Sequence, residues 1–111
     1  MADVIANKIG VETAVAATNR YIFGDAEVGF AAQIVFTLDL NTGTITCAPQ
    51  ARVRGSDLWV TCLAVPKDST TGATSLTGAN TYVMDASGCE CALNVTASSG
   101  APVITWTAVT G

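Results

Sequence analysis

The sequence predicts an all-β chain: an antiparallel β-sandwich, jelly-roll-like, with an N-terminal arm. Three observations carry this. Val, Ile and Thr are abundant, and their branched Cβ atoms favour extended backbone. Apolar residues recur at every second position in several stretches, the period of a half-buried strand. Turn residues punctuate the chain at spacings of roughly eight to twelve residues, without a strong helical pattern between them. A chain of 111 residues is one domain with its own core. It divides into an arm at 1–19 and a sandwich at 20–111.

The arm is the least periodic part. Gly10 and the Val/Thr content favour an extended segment over a helix. Free ends are usually disordered, so an ordered arm needs a holder, either its own sheet or a neighbouring subunit. Arg20 to Phe23 reads as a short strand, turned by Gly24-Asp25. In 28–40, Phe30, Ala32, Ile34, Phe36, Leu38 and Leu40 share one parity. Gln33, Thr37 and Asp39 take the other, with Val35 the exception. Asn41-Thr42-Gly43 is hairpin-type turn chemistry. Stretch 44–54 alternates again, with Ile45, Cys47, Pro49, Ala51 and Val53 inward and Gln50, Arg52 and Arg54 outward. Pro49 cannot donate to a ladder, which puts this strand at an edge or a bulge. After the Gly55-Ser56-Asp57 turn, 58–65 is apolar on both faces and reads as a central strand. A polar loop at 66–72 follows, then a further strand start at 73–76 and a turn at Gly78-Ala79-Asn80. The last third holds three strands, 82–85, 89–97 and 103–109, separated by Ala86-Ser87-Gly88 and by 98–102.

Composition excludes several functions. The net charge is −4 with five basic residues, and only Arg52 and Arg54 come close together. Without a basic stripe there is no nucleic-acid partner, because phosphate binding needs clustered Lys and Arg. No apolar run reaches the ~18 residues of a membrane span, and the N-terminus lacks a signal-peptide pattern. The expected site of synthesis is therefore a cytoplasm, and Asn94-Val95-Thr96 is an accidental match to the glycosylation pattern. Charged residues are 13% of the chain, about half the usual ~25%. A surface of Thr, Ser, Ala, Asn and Gly suits a homo-oligomer or a protein packed against neighbours.

The chemistry-bearing residues are few. Cys47, Cys62, Cys89 and Cys91 all fall in expected strands. They read as buried thiols behaving as small hydrophobes. Zinc and a cross-sandwich disulfide are the alternatives. The Cys89-Glu90-Cys91 spacing is one residue shorter than usual zinc pairs, and a reducing cytoplasm disfavours the disulfide. The carboxylates are scattered, and several sit in turns. There is no His, no phosphate-binding glycine loop and no nucleophile motif. The expectation is therefore no enzyme, no cofactor and no metal. Trp59 and Trp106 read as packing residues; an exposed one could instead be a sugar-stacking platform.

From Gly29 onward the sequence resembles a β-sandwich module of tailed-bacteriophage structural proteins. The resemblance rests on AAQIVFTLDL, on the turn Arg54-Gly55-Ser56-Asp57-Leu58-Trp59-Val60 and on Tyr82-Val83-Met84-Asp85-Ala86-Ser87-Gly88. It continues through Leu93-Asn94-Val95-Thr96-Ala97-Ser98-Ser99-Gly100 and the closing ITWTAVTG. Cys89-Glu90-Cys91-Ala92 departs from the pattern, which often carries a basic residue there. With the arm and the small size, the resemblance implies a virion protein of capsid decoration (cement) type on the capsid surface. The implied partners are the major capsid protein and copies of itself, as a trimer or dimer. A tail or baseplate accessory and a glycan-binding module for host surfaces are the alternatives. Expected contact residues are Val4, Ile5, Ile9, Val11 and Val15 of the arm, with Arg20, Arg52 and Arg54 facing an acidic shell surface. The plainer reading of the arginines is solvated surface charge.

Overall fold

The computed structural model of the chain describes residues 2–5, 11–12, 19–23, 33–53, 55–86 and 89–109. Among them ten strands form and no helix. These are β1 (Ala2–Ile5), β2 (Val11–Glu12), β3 (Asn19–Phe23), β4 (Gln33–Asp39) and β5 (Thr44–Val53). Then follow β6 (Val60–Thr61), β7 (Ala64–Pro66), β8 (Asn80–Asp85), β9 (Cys89–Ser99) and β10 (Val103–Val109). The first sheet runs β1-β3-β9-β5-β6 and the second β2-β10-β4-β8-β7. Every pairing is antiparallel except β1 with β3, which is parallel. The sandwich expected from the sequence is the observed fold.

Alternation builds the core. Ile34, Phe36 and Leu38 of β4 are buried, while Gln33 and Asp39 are exposed. The register sets Met84 and Tyr82 of β8 beside Ile34 and Phe36, and Trp106 and Ile104 of β10 beside Phe36 and Leu38. From the first sheet come Phe23, Ile45, Cys47, Cys91, Leu93 and Val95. An aromatic row crosses between the sheets. Phe23 stacks on Phe36 at 5.5 Å and meets Trp106 at 5.3 Å, while Phe36 stacks on Tyr82 at 5.4 Å.

Pro49 sits where its missing donor does least harm. Its carbonyl accepts from Cys62 N–H at 2.9 Å, so its nitrogen also faces the side of short β6 and leaves the β9 ladder whole. The ladder irregularity lies elsewhere. Thr46 pairs with Ala97 and Cys47 with Val95, which leaves Thr96 of β9 as the extra residue of a bulge.

Three local expectations need correction. Residues 58–65 are not a central strand. They make the two-residue β6 and the three-residue β7, the outermost strands of the two sheets, joined where the chain crosses between them. Apolarity on both faces here reflects a crossing edge segment, with Leu58, Val60 and Leu63 more than half exposed. The stretch 73–76 forms no strand, only isolated bridges of Ala73 to Ala64 and Leu76 to Cys47. The Asn41-Thr42-Gly43 turn is tight, with Gly43 N–H donating to Leu40 O at 2.7 Å, but it joins no hairpin. β4 pairs with β10 and β8, and β5 with β9 and β6, so the turn carries the chain from one sheet to the other.

The arm is held by its own sandwich where it is described. β1 lies on β3 and β2 on β10, the two edges of one side. β6 and β7 close the other side. The turn at Gly24-Asp25 and the strand start at 28–32 lie outside the described residues.

Two of the sheet-crossing turns, 41–43 and 100–102, touch. Gly100 has φ +70°, and a Cβ there would lie 2.8 Å from Gly43 Cα. A Cβ on Gly43 would overlap the Ser99 carbonyl. Thr42, a β-branched residue, is held at φ 68°. Gly43→Ala is expected to destabilise by about 2 kcal/mol or more, because backbone on both sides must shift. Thr42→Gly is expected to gain about 0.5–1 kcal/mol by releasing left-handed strain. Urea midpoints at constant m would show both, with opposite signs.

Candidate functional site

The outward face of the first sheet carries a built cluster. Alternation turns Arg20 and Ile22 of β3, Glu90, Ala92 and Asn94 of β9, and Gln50 and Arg52 of β5 away from the core. Cross-strand register places Arg20 beside Asn94, Ile22 and Gln50 on either side of Ala92, and Arg52 beside Glu90. Such a face ordinarily meets water. Here Ile22, Ala92 and Gln50 are buried.

Trp59 lies over this face. Gly55 at φ 87° reverses the chain after β5. Ser56 N–H donates to Val53 O at 2.9 Å, and Leu58 N–H to Ser56 Oγ at 3.1 Å. The β5–β6 register, continued by one residue, sets Trp59 opposite Arg52 on the outward face. Its ring lies 4.4 Å from the Arg52 guanidinium carbon and 5.1 Å from that of Arg20. The two arginines bracket Ala92 in the register, and both meet the same ring. Arg20 Nε donates to Gln50 Oε1 at 2.9 Å. Arg52 Nε and Nη2 both donate to Glu90 Oε2, at 3.0 and 2.9 Å. Each cation–π contact contributes about 0.5–1 kcal/mol, and the partly buried ion pair about as much.

The inward face of the same hairpin is bare. Val60 lies opposite Ala51, which packs on the core, so Val53, Leu58 and Val60 share its face. They are nevertheless 65%, 70% and 56% exposed, and Leu63, in the crossing to β7, is 56% exposed.

The thiols divide by depth. Cys47 and Cys91 are buried, Cys62 and Cys89 half-buried, and all four are free. Burial pushes Cys47 and Cys91 up to about 12; Cys62, Cys89 and Asp85 add to the rise at Cys91. Cys62 is raised by burial, then by Cys89 and Asp85. Protonated thiols of this kind are poor nucleophiles and poor ligands. No group of three or more metal-ligating side chains converges among the described residues.

The expected contact residues are not brought together. Val4 and Ile5 lie in β1 and Val11 in β2, at sheet edges on one side. Arg20 and Arg52 meet around Trp59, and the charge of Arg52 is matched by Glu90 within the chain. Ile9, Val15 and Arg54 lie outside the described residues. Sequence reasoning placed Gln50 and Arg52 outward but missed Trp59 as their cover. The only signal was a turn that could return residue 59 to residue 52.

No protein-family model matches the chain. No curated protein matches it. Among solved structures it is similar in fold to the crystal structure of the SPBc2 prophage-derived protein YomS, with a TM-score of 0.60 at 14% identity, over 87% of this chain and 91% of that one.

Proposed function

We propose that this chain is a structural component of a tailed-bacteriophage particle and, at its most specific, a capsid decoration protein that cements neighbouring shell subunits. The observation that carries the reading is a fold shared with a prophage-derived protein along nearly the whole of both chains. A surface poor in charge and the absence of His support a role in packing rather than catalysis. The partner is the major capsid protein, and the contact is multivalent. Each copy buries a modest surface, and bridging two shell subunits makes the second contact effectively intramolecular. The arm residues Val4, Ile5 and Val11 would meet the shell from sheet edges rather than from a free tail.

Purified particles test this by copy number. On the order of hundreds of copies per particle is the expected result for a shell protein. Roughly six or twelve would move the protein to a ring at the tail or baseplate, because closed symmetry fixes the count. Absence from particles would defeat the structural reading. The glycan reading is weakened by Trp106, which is buried in the core, and by the guanidiniums beside Trp59.

A further inference from the structure

We infer that Cys62 and Cys89 are a redox pair, closed to an intramolecular disulfide by a small-molecule disulfide once the protein leaves a reducing compartment. Both are brought to one corner of the sandwich, beside Ala86. Cys62 lies in the two-residue crossing between β6 and β7, where its N–H donates to Pro49 O at 2.9 Å. Ala64 pairs with Met84, and the same register continued by two residues sets Cys62 beside Ala86. Cys89 N–H donates to Ala86 O at 2.9 Å. Cys62 packs on the core cluster to which Ala86 belongs, and alternation turns Cys89 to the same side of β9 as buried Cys91. Cys89 and Asp85 both add to the rise of the Cys62 thiol, the mark of charges close together.

Access and freedom select this pair. Cys62 and Cys89 are half-buried, whereas Cys47 and Cys91 are 1% exposed and out of reach of a dissolved oxidant. Cys47 is also tied through both backbone groups to Leu76. Cys91 turns its thiol to Asp85 O at 3.9 Å. Closure needs Cα atoms within about 7 Å. Cys62 lies outside both ladders, so it can move toward Cys89 at the cost of one hydrogen bond rather than of a strand pair. β6 and β7 are two and three residues long and form the outer edges of their sheets. A link from 62 to 89 pins both to the start of β9, which lies inside the first sheet. The exchange balances. One protein sulfur, as thiolate, displaces a thiol from the small disulfide and forms a mixed disulfide. The second protein sulfur displaces the other small thiol and forms the S–S bond. Two protein thiols are oxidised, one small disulfide is reduced, and the two protons pass to the released thiols. Burial keeps Cys62 protonated, so closure is slow at neutral pH and quickens as pH rises.

The pair is a property of the chain, and no particle enters its test, so its failure and that of the virion reading are separate results. Isolated protein held with oxidised glutathione at about pH 8.5 should lose two hydrogens in mass and keep no glutathione. Digestion without reductant, with cleavage after Glu90 to part Cys89 from Cys91, should yield a peptide pair joining Cys62 to Cys89. A lasting glutathione adduct, a link to Cys91 or Cys47, or all four thiols still free would overturn the proposal. Cys91→Ser should close like the wild type. Cys62→Ser and Cys89→Ser should each stop at one glutathione adduct on the remaining partner, with circular dichroism matching the reduced wild type. The closed protein should melt about 10 °C higher than the reduced one and fall back when reduced. Amides at 60–65 should exchange more slowly in the closed form. An unchanged melting temperature would mean that the link clamps nothing, and would end the idea.

Discussion

Replacing Phe36 by alanine should remove about 3–5 kcal/mol of stability, a large share of the ~5–15 kcal/mol a domain possesses. The ring is 1% exposed. It lies in the middle of the aromatic row, against Phe23 of the opposite sheet and Tyr82 of its own. Removing it therefore loosens the contact between sheets as well as leaving a cavity. The expected fall in melting temperature is about 12–40 °C, from ~4–8 °C per kcal/mol for small domains. Phe36→Leu keeps most of the volume and should cost about 1–1.5 kcal/mol. Calorimetry of the two variants distinguishes them. A loss below about 1 kcal/mol for the alanine variant would mean that the ring is not clamped between the sheets.

High pH should unfold the protein through its buried thiols. Cys47 and Cys91 are raised from an ordinary value of 9.0 to about 12. The folded chain holds these protons more tightly than the unfolded chain does. Their contribution is therefore complete below about pH 9 and is lost as pH climbs toward 12. Each thiol gives a slope of about 1.4 kcal/mol per pH unit inside that window. With both titrating, unfolding free energy should fall by roughly 3 kcal/mol per unit. Tyr82, raised by burial and then by Cys47 and Asp68, adds in the same direction. Urea midpoints measured under reductant from neutral to alkaline pH should drop steeply above pH 9. The Cys47→Ala Cys91→Ala double variant should show a much flatter decline. Equal slopes in the two proteins would remove the thiols as the cause.

The parts of this fold legible in the sequence are those where one face is wet and the other dry. β4 announces itself through Ile34, Phe36 and Leu38, and β10 occupies the expected 103–109 because alternation and flanking turns agree. The segment 58–65 misleads for a physical reason. A buried central strand and a strand at an exposed edge can have the same apolar composition, and only the missing neighbours tell them apart. The Asn41-Thr42-Gly43 turn shows the same limit, since local chemistry dictates a reversal but not which sheet receives the chain. The Trp59 cluster was the least legible. It needs Arg20, thirty positions before Gln50, to arrive through the β3–β9–β5 order, and no local pattern encodes that order.

The strand order also fixes when the chain can fold. β9 is the strand that joins β3 to β5, and β10 is the strand that joins β2 to β4. Both lie at the end of the sequence. During synthesis, β3 and β5 emerge with no partner for their facing edges, and β2 waits for a strand made more than ninety residues later, since Val11 pairs with Thr105. Neither sheet can close before residues 89–109 leave the ribosome. Such long-range pairing predicts slow folding, on the millisecond-to-second scale of β-sandwiches, and only after synthesis of both strands. A nascent chain stalled before Cys89 should remain protease-sensitive throughout, with its alternating apolar strands exposed to chaperones.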